Sequence, residues 1–242
     1  MEWTDEGIVL GVRRHGETSA IAEIMTRDHG RHLGLVRGGR SRRMRPVLQP
    51  GNSVQANWRA RLDAHLGAFQ LEATTMRAAL LMENPLGLHV AQMLAAHLRL
   101  LPERDPHSQL YAATGIVLDS LDDQLMCGEL LVRFEMALLD DLGFGLDLST
   151  CAATGTTANL TYVSPKSGRA VSGEAGRAFH DRMLPLPAYL IDRRQSHPDR
   201  ESLAQGFELT GYFLDRDVFH PRGISVTESR AAVISRVADV SD

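Results

Sequence analysis

Lysine is nearly missing from this 242-residue chain: Lys166 stands alone against twenty-five arginines. It sits in SPKSG, so no G-x-x-x-x-G-K-[ST] element exists and a P-loop nucleotide site is excluded. Cysteine is almost as scarce. Cys127 and Cys151 cannot build a disulfide framework, and their scarcity suits a reducing compartment. No apolar run exceeds about ten residues before a charged or polar group interrupts it, too short to span a bilayer. The opening MEWTDEGIVLGVRRHG starts on acids rather than on a basic region with an apolar core, so a secretory leader is not expected. These absences point to a soluble, cytoplasmic protein with no membrane partner.

Chemical motifs are missing too. Neither G-x-S-x-G nor H-E-x-x-H occurs. The acid pairs Asp122-Asp123 and Asp140-Asp141 are helical neighbours, which diverge by about 100° and cannot converge on one substrate atom. His29 and His32 are spaced i, i+3 in an expected hairpin turn, with no third metal ligand nearby. No cofactor and no enzymatic activity are expected.

What is present is uneven charge. The formal net charge is -4, yet residues 1–80 hold twelve arginines against eight acids, and the remainder holds fourteen Lys or Arg against twenty-two acids. A basic first part (+4) joined to an acidic second part (-8) points to a polyanionic partner for the first. The densest run is RGGRSRRMR, residues 37–45, and no carboxylate occurs anywhere from Gly30 to Gly51. It is either a solvated loop without a task or a site for something negatively charged.

Short alternating segments fill the first 80 residues: GIVLGVRR, SAIAEIMT, HLGLVRGG, SVQANWRA and AFQLEATT. Five such strands separated by Gly, Asn, Asp and His fit a small closed barrel of the OB type, with an SH3-like barrel or small sandwich as alternatives. After Met82 the spacing becomes helical. Asn84-Pro85 and Asp105-Pro106 read as helix starts, and Leu130, Leu131, Phe134, Leu138 and Leu142 can share one helix face, with Gly143 as the stop. Residues 149–176 are small and polar, a loop or hairpin insert. Segments near Ala178–Met183, Glu201–Asp217 and Glu228–Val237 return to helical spacing. The expected class is α+β: an OB-type barrel over 1–80 and a helical domain over 81–242 carrying the insert.

The run LVRFEMALLDDLGFGLDLSTCAATG, with Leu110-Tyr111 before it and His220 and Ser229-Arg230 after it, resembles the RecO family of bacterial recombination mediators over nearly the whole length. That resemblance implies binding of single- and double-stranded DNA, strand annealing and a role in DNA repair and recombination at the nucleoid. It also implies help in displacing single-stranded-DNA-binding protein, engaged through its acidic C-terminal tail, so that RecA loads, together with RecR. Several members hold a zinc ribbon of two C-x-x-C pairs in the insert. This chain departs from the pattern: Cys151 is the only remnant, with Thr154, Ser172 and Ala175 where the other thiolates would fall. One thiolate cannot make a tetrahedral zinc site, so a degenerate, metal-free ribbon-like insert is expected.

An OB barrel holds single strands with a positive groove and stacking aromatics. Arg31, Arg37, Arg40, Arg42, Arg43, Arg45 and Arg59 are the candidate phosphate contacts, and Gly38-Gly39 would let the loop bend. Trp58 is the candidate stacking ring or, equally, a core aromatic. An acidic tail would need an arginine beside an apolar groove, for which Arg133 and Phe134 are the candidates; the alternative is a Glu129–Arg133 surface pair at i, i+4. Two other functional classes remain at this point: a helical adaptor whose barrel binds protein, and a nucleic-acid enzyme with dispersed carboxylates.

Overall fold

In SVQANWR every second residue is apolar, and Val54, Ala56 and Trp58 turn to one face and are fully buried. The same period of two runs through the neighbouring strands and builds a barrel core that includes Ile24, Val36, Phe69 and Leu71. The computed structural model describes residues 1–62, 65–192, 198–225 and 227–238. Strands β1 (Glu2–His15), β2 (Ser19–Thr26), β3 (Gly30–Val36), β4 (Ser53–Arg59) and β5 (Ala68–Thr75) close in the order β1-β2-β3-β5-β4, with the one-turn helix α1 (Met44–Val47) between β3 and β4. The barrel closes where Leu35 of β3 pairs in parallel with Ala68 of β5. That order and that closure are the OB-fold, and they exclude the SH3-like and sandwich alternatives.

Strand β1 serves two neighbours. Its first half pairs with β4 from Glu2 to Ile8, its second half with β2, and the register with β2 shifts between Val9 and Gly11. A bulge there bends the strand, which is how one long strand curls around a small barrel. Gly67, at φ +68°, precedes β5 where an added Cβ would fall 2.3 Å from the Trp58 indole nitrogen, so only glycine fits.

Contacts divide the chain into two compact units, Met1–Leu121 and Asp122–Asp242. Helices α2 (Ala78–Glu83), α3 (Gly87–Leu98) and α4 (Ser108–Leu118) therefore sit in the same unit as the barrel. Arg77 ties them to it with a bidentate contact to Asp119 at 2.6 and 3.0 Å and a hydrogen bond to Ser53 at 2.6 Å. Asn84 closes α2 with its backbone N–H on Leu80 and accepts the Leu86 N–H at 2.8 Å with its side chain, so the expected start signal acts one turn ahead of α3.

In the second unit, α5 (Gln124–Asp141) starts at Asp123, whose carboxylate accepts the N–H groups of Leu125 and Met126. Leu131, Phe134 and Leu138 are buried on its inner face. The insert holds a hairpin of β6 (Leu160–Val163) and β7 (Ala170–Ser172), and β8 (Leu184–Pro185) extends it to the order β7-β6-β8. After β7 come α6 (Gly173–Gly176) and a 3-10 turn over Arg177–Arg182, where the spacing near Ala178–Met183 predicts an ordinary helix. Helix α7 (Arg200–Leu214) runs through a π turn (Asp215–Phe219) into α8 (His220–Arg222), and α9 (Glu228–Val237) closes the unit. Glu135 of α5 accepts Arg230 of α9 at 2.7 and 3.0 Å and the Thr210 hydroxyl of α7 at 2.5 Å, all three residues being buried. Burial works against the Arg230 charge, yet the Glu135 carboxylate outweighs it and holds the guanidinium above its ordinary value. Among the described residues no helix is long and apolar enough to cross a membrane.

Candidate nucleic-acid interface

The arginine-rich segment leaves β3 at Val36 and is shaped by its own backbone. Gly39 N–H donates to Val36, Ser41 N–H to Gly38, and Met44 and Arg45 N–H to Ser41, after which α1 begins. Gly38 takes φ +65°, a left-handed turn that an L side chain resists. A second tie, Arg40 N–H to Thr18 at 3.0 Å, fastens the segment to the β1–β2 turn. The five arginines thus project from a built turn.

They do not project to one place. Arg37 and Arg43 line a groove of about 500 Å³ together with Arg59 from the end of β4, while Phe69 and Leu71 of β5 lie along it. Arg40 turns toward the β1–β2 hairpin and donates to Gly16 and Glu17 carbonyls at 3.0 and 2.6 Å. Arg45 lies on that side too, and Arg42 is exposed and lines neither side. Among the described residues, Arg37, Arg42, Arg43, Arg45 and Arg59 form no ion pair, so their charge is not locally cancelled. Such a cluster raises the local potential and attracts anions.

Three other candidates sit differently. Arg31 is half-buried, pairs with Glu23 at 2.8 Å and donates to Leu101, so its charge is already neutralised. Trp58 is fully buried; its indole N–H donates to Leu66, and its ring stacks on Trp3 at 5.6 Å with Arg104 above it at 5.7 Å. The stacking expectation for Trp58 is thereby corrected to the core alternative: inward alternation along β4 leaves it no free face. Arg133 donates to Glu129 at 2.8 Å and to the Tyr189 carbonyl at 2.7 Å, so the i, i+4 pair exists; its guanidinium also lies 5.8 Å over the Tyr189 ring. Phe134 is buried and offers no surface to a tail peptide, a second correction. His29 meets Asp5 at 3.0 Å and stacks on Trp3 at 4.2 Å, and among the described residues it belongs to no group that could hold a metal ion.

The insert does not fit zinc. Thr154, Ser172 and Ala175 carry no thiolate, and Cys151 is buried with its sulfur accepting the Ser172 N–H at 3.3 Å. Hydrogen bonds from Ser172 and then Thr154 pull the thiol down to about 6. Among the described residues no group of three or more His, Cys, Asp or Glu could hold a metal ion.

A family model for the N-terminal part of recombination protein O matches residues 1–76, and one for its C-terminal part matches residues 86–223. The chain belongs to the RecO family. It is 58% identical over 235 residues to a DNA repair protein RecO of Mesorhizobium japonicum, covering 97% of this chain and 93% of the relative. A Chelativorans RecO is 56% identical over 98% of this chain and 96% of the relative, and one from Methylorubrum extorquens 56% over 97% and 98%. This RecO-family chain is accordingly a DNA repair protein, and its OB barrel is the family's N-terminal domain. Sequence reasoning missed Arg14, which the barrel places beside the arginine segment. The signal was the charged pair ending GIVLGVRR, but only strand pairing shows where that end lands. Glu135 and Arg230, quoted within two separate motifs, form one buried pair that spacing alone could not join.

Proposed function

We propose that this RecO-family protein binds single- and double-stranded DNA through its barrel, anneals complementary strands and helps RecA load onto strands coated by single-stranded-DNA-binding protein, in concert with RecR. The observation that carries this reading is the groove lined by Arg37, Arg43 and Arg59, three cations without a carboxylate partner among the described residues, beside the apolar Phe69 and Leu71. Annealing needs no catalytic group. Two phosphate backbones repel, and a positive surface that holds strands while leaving base edges free lowers that barrier. We place this work in the barrel over residues 1–80, the partner contacts in residues 81–242 with a metal-free ribbon-like insert, and the protein in the bacterial cytoplasm.

A salt titration tests the groove. Arg37→Glu/Arg43→Glu/Arg59→Glu should flatten the single-strand slope of log affinity against log salt by about 2, at roughly 0.7 per lost phosphate contact. An unchanged slope overturns the assignment and favours a helical adaptor without DNA binding. For the acidic tail, Arg133 is the proposed contact: its side chain is partly exposed, and its guanidinium is held over the Tyr189 ring. Arg133→Ala should weaken an acidic tail peptide at least severalfold in fluorescence anisotropy; equal affinity would leave Arg133 a surface-pair residue only.

A further inference from the structure

The arginine segment has a second side. A separate groove of about 250 Å³ is lined by Arg14 from β1, Arg40 and Arg45, with Ala20, Leu48 and Gln49 among its other wall residues. It shares no lining residue with the groove of Arg37, Arg43 and Arg59, and neither groove is lined by a carboxylate. A nearby hollow shows the contrast: Arg13, Arg31 and Arg99 line it with Glu23 and Glu103, and the ion pairs of Arg31 and Arg99 with these carboxylates cancel most of its charge. Arg14 and Arg45 have no such partner among the described residues. Arg40 is fixed by the carbonyls of Gly16 and Glu17, which keep its cation in place without cancelling it.

We infer that this second groove is a second phosphodiester track, so that one chain holds two nucleic-acid strands, one on each side of the arginine segment. The inference rests on the DNA-binding reading above and deepens it. Its physical basis is the folding of the segment. The residues that face the two grooves alternate: Arg37, Gly38, Ser41, Arg43 and Met44 face the first, whereas Gly39, Arg40 and Arg45 face the second. A single strand following one groove leaves the other set of cations unpaired. A phosphodiester backbone satisfies them, since it carries a charge at every nucleotide and oxygens that accept paired guanidinium hydrogen bonds. The two tracks are built alike. Each sets three arginines along a partly apolar floor, Phe69 and Leu71 under the first and Ala20 and Leu48 under the second, so each suits a phosphodiester backbone. Holding two strands on one small surface raises their effective concentration and screens their repulsion, which is what annealing demands.

The test uses the full chain and short non-complementary oligonucleotides carrying donor and acceptor dyes. The unaltered protein should bring the dyes together by binding two strands per chain. Arg14→Glu/Arg45→Glu should reduce this to one strand, leave the salt slope of that remaining event unchanged, and slow annealing of complementary strands at least tenfold. Arg37→Glu/Arg43→Glu should weaken the first binding event and flatten its slope by about 1.4, two contacts at roughly 0.7 each. Retention of two strands or of full annealing by Arg14→Glu/Arg45→Glu overturns the second track and leaves the first standing. Loss of all binding in that variant also overturns it, because the grooves would then be one continuous site. If neither double variant alters binding, the DNA-binding reading itself fails. Arg14 and Arg45 are exposed, and Arg14→Gln/Arg45→Gln, with matching thermal unfolding, repeats the test should charge reversal impair folding.

Discussion

Cys127 and Cys151 are both buried, yet their surroundings push the two thiols in opposite directions. Burial on α5, reinforced by Asp123, raises Cys127 from 9.0 to about 12. Donors from Ser172 and Thr154 lower Cys151 from 9.0 to about 6. The folded state therefore resists ionising Cys127 and favours ionising Cys151 relative to the unfolded chain. The Cys151 contribution is complete above pH 9 and is lost as pH falls through about 6, so it makes stability rise with pH across that window. The Cys127 contribution is complete below pH 9 and is lost as pH climbs toward about 12. Urea unfolding across pH 6 to 11 should show Cys151→Ala flattening the lower limb and Cys127→Ala the upper one, each limb being at most about 1.4 kcal/mol per pH unit. Parallel curves for a variant and the unaltered protein would contradict that assignment.

Helices α5, α7 and α9 are held by one polar cluster inside an apolar interface. Glu135 has its oxygens on Arg230 and Thr210, and Arg230 also donates to the Phe207 carbonyl at 2.8 Å while lying 5.6 Å over the Phe207 ring. Buried ion pairs add little over apolar packing, but a single deletion leaves the other charge stranded. Arg230→Met should thus cost about 3–5 kcal/mol in denaturant unfolding, and Glu135→Leu/Arg230→Met should recover most of that loss. If the double variant is as unstable as the single one, the pair supplies more than mutual neutralisation. The two halves of this cluster, in RFE and in Ser229-Arg230, were visible as motifs. Their meeting was not, because 95 residues separate them and helix periodicity reports a face but never its partner.

At the scale of the molecule, charge follows the two compact units. The first holds fourteen arginines against twelve acids, and the second twelve Lys or Arg against eighteen acids. Each unit has its own buried core, the condition for folding alone. The fragment 1–121 should fold cooperatively and keep the salt-dependent DNA binding of the full chain, read by thermal unfolding and anisotropy. A fragment that stays unfolded would show that the first core depends on the second unit. The fragment 1–80 should be much less stable, because the Arg77 contact to Asp119 and the burial of Leu81 and Leu118 would be lost.

Composition and periodicity alone determined the barrel-then-helix order, the five strands, the body of α5, and the concentration of positive charge at residues 37–45. These are local properties: alternation, helical spacing and charge runs act over a few residues, so a linear reading captures them. Tertiary structure alone decided which arginines are free. Arg31 and Arg37 are alike as letters, but β2 brings Glu23 against the first and leaves the second open. It also buried Trp58, recruited Arg14 and divided the arginine segment between two grooves. Each outcome depends on which distant strand or loop lies alongside, and that is set by barrel closure.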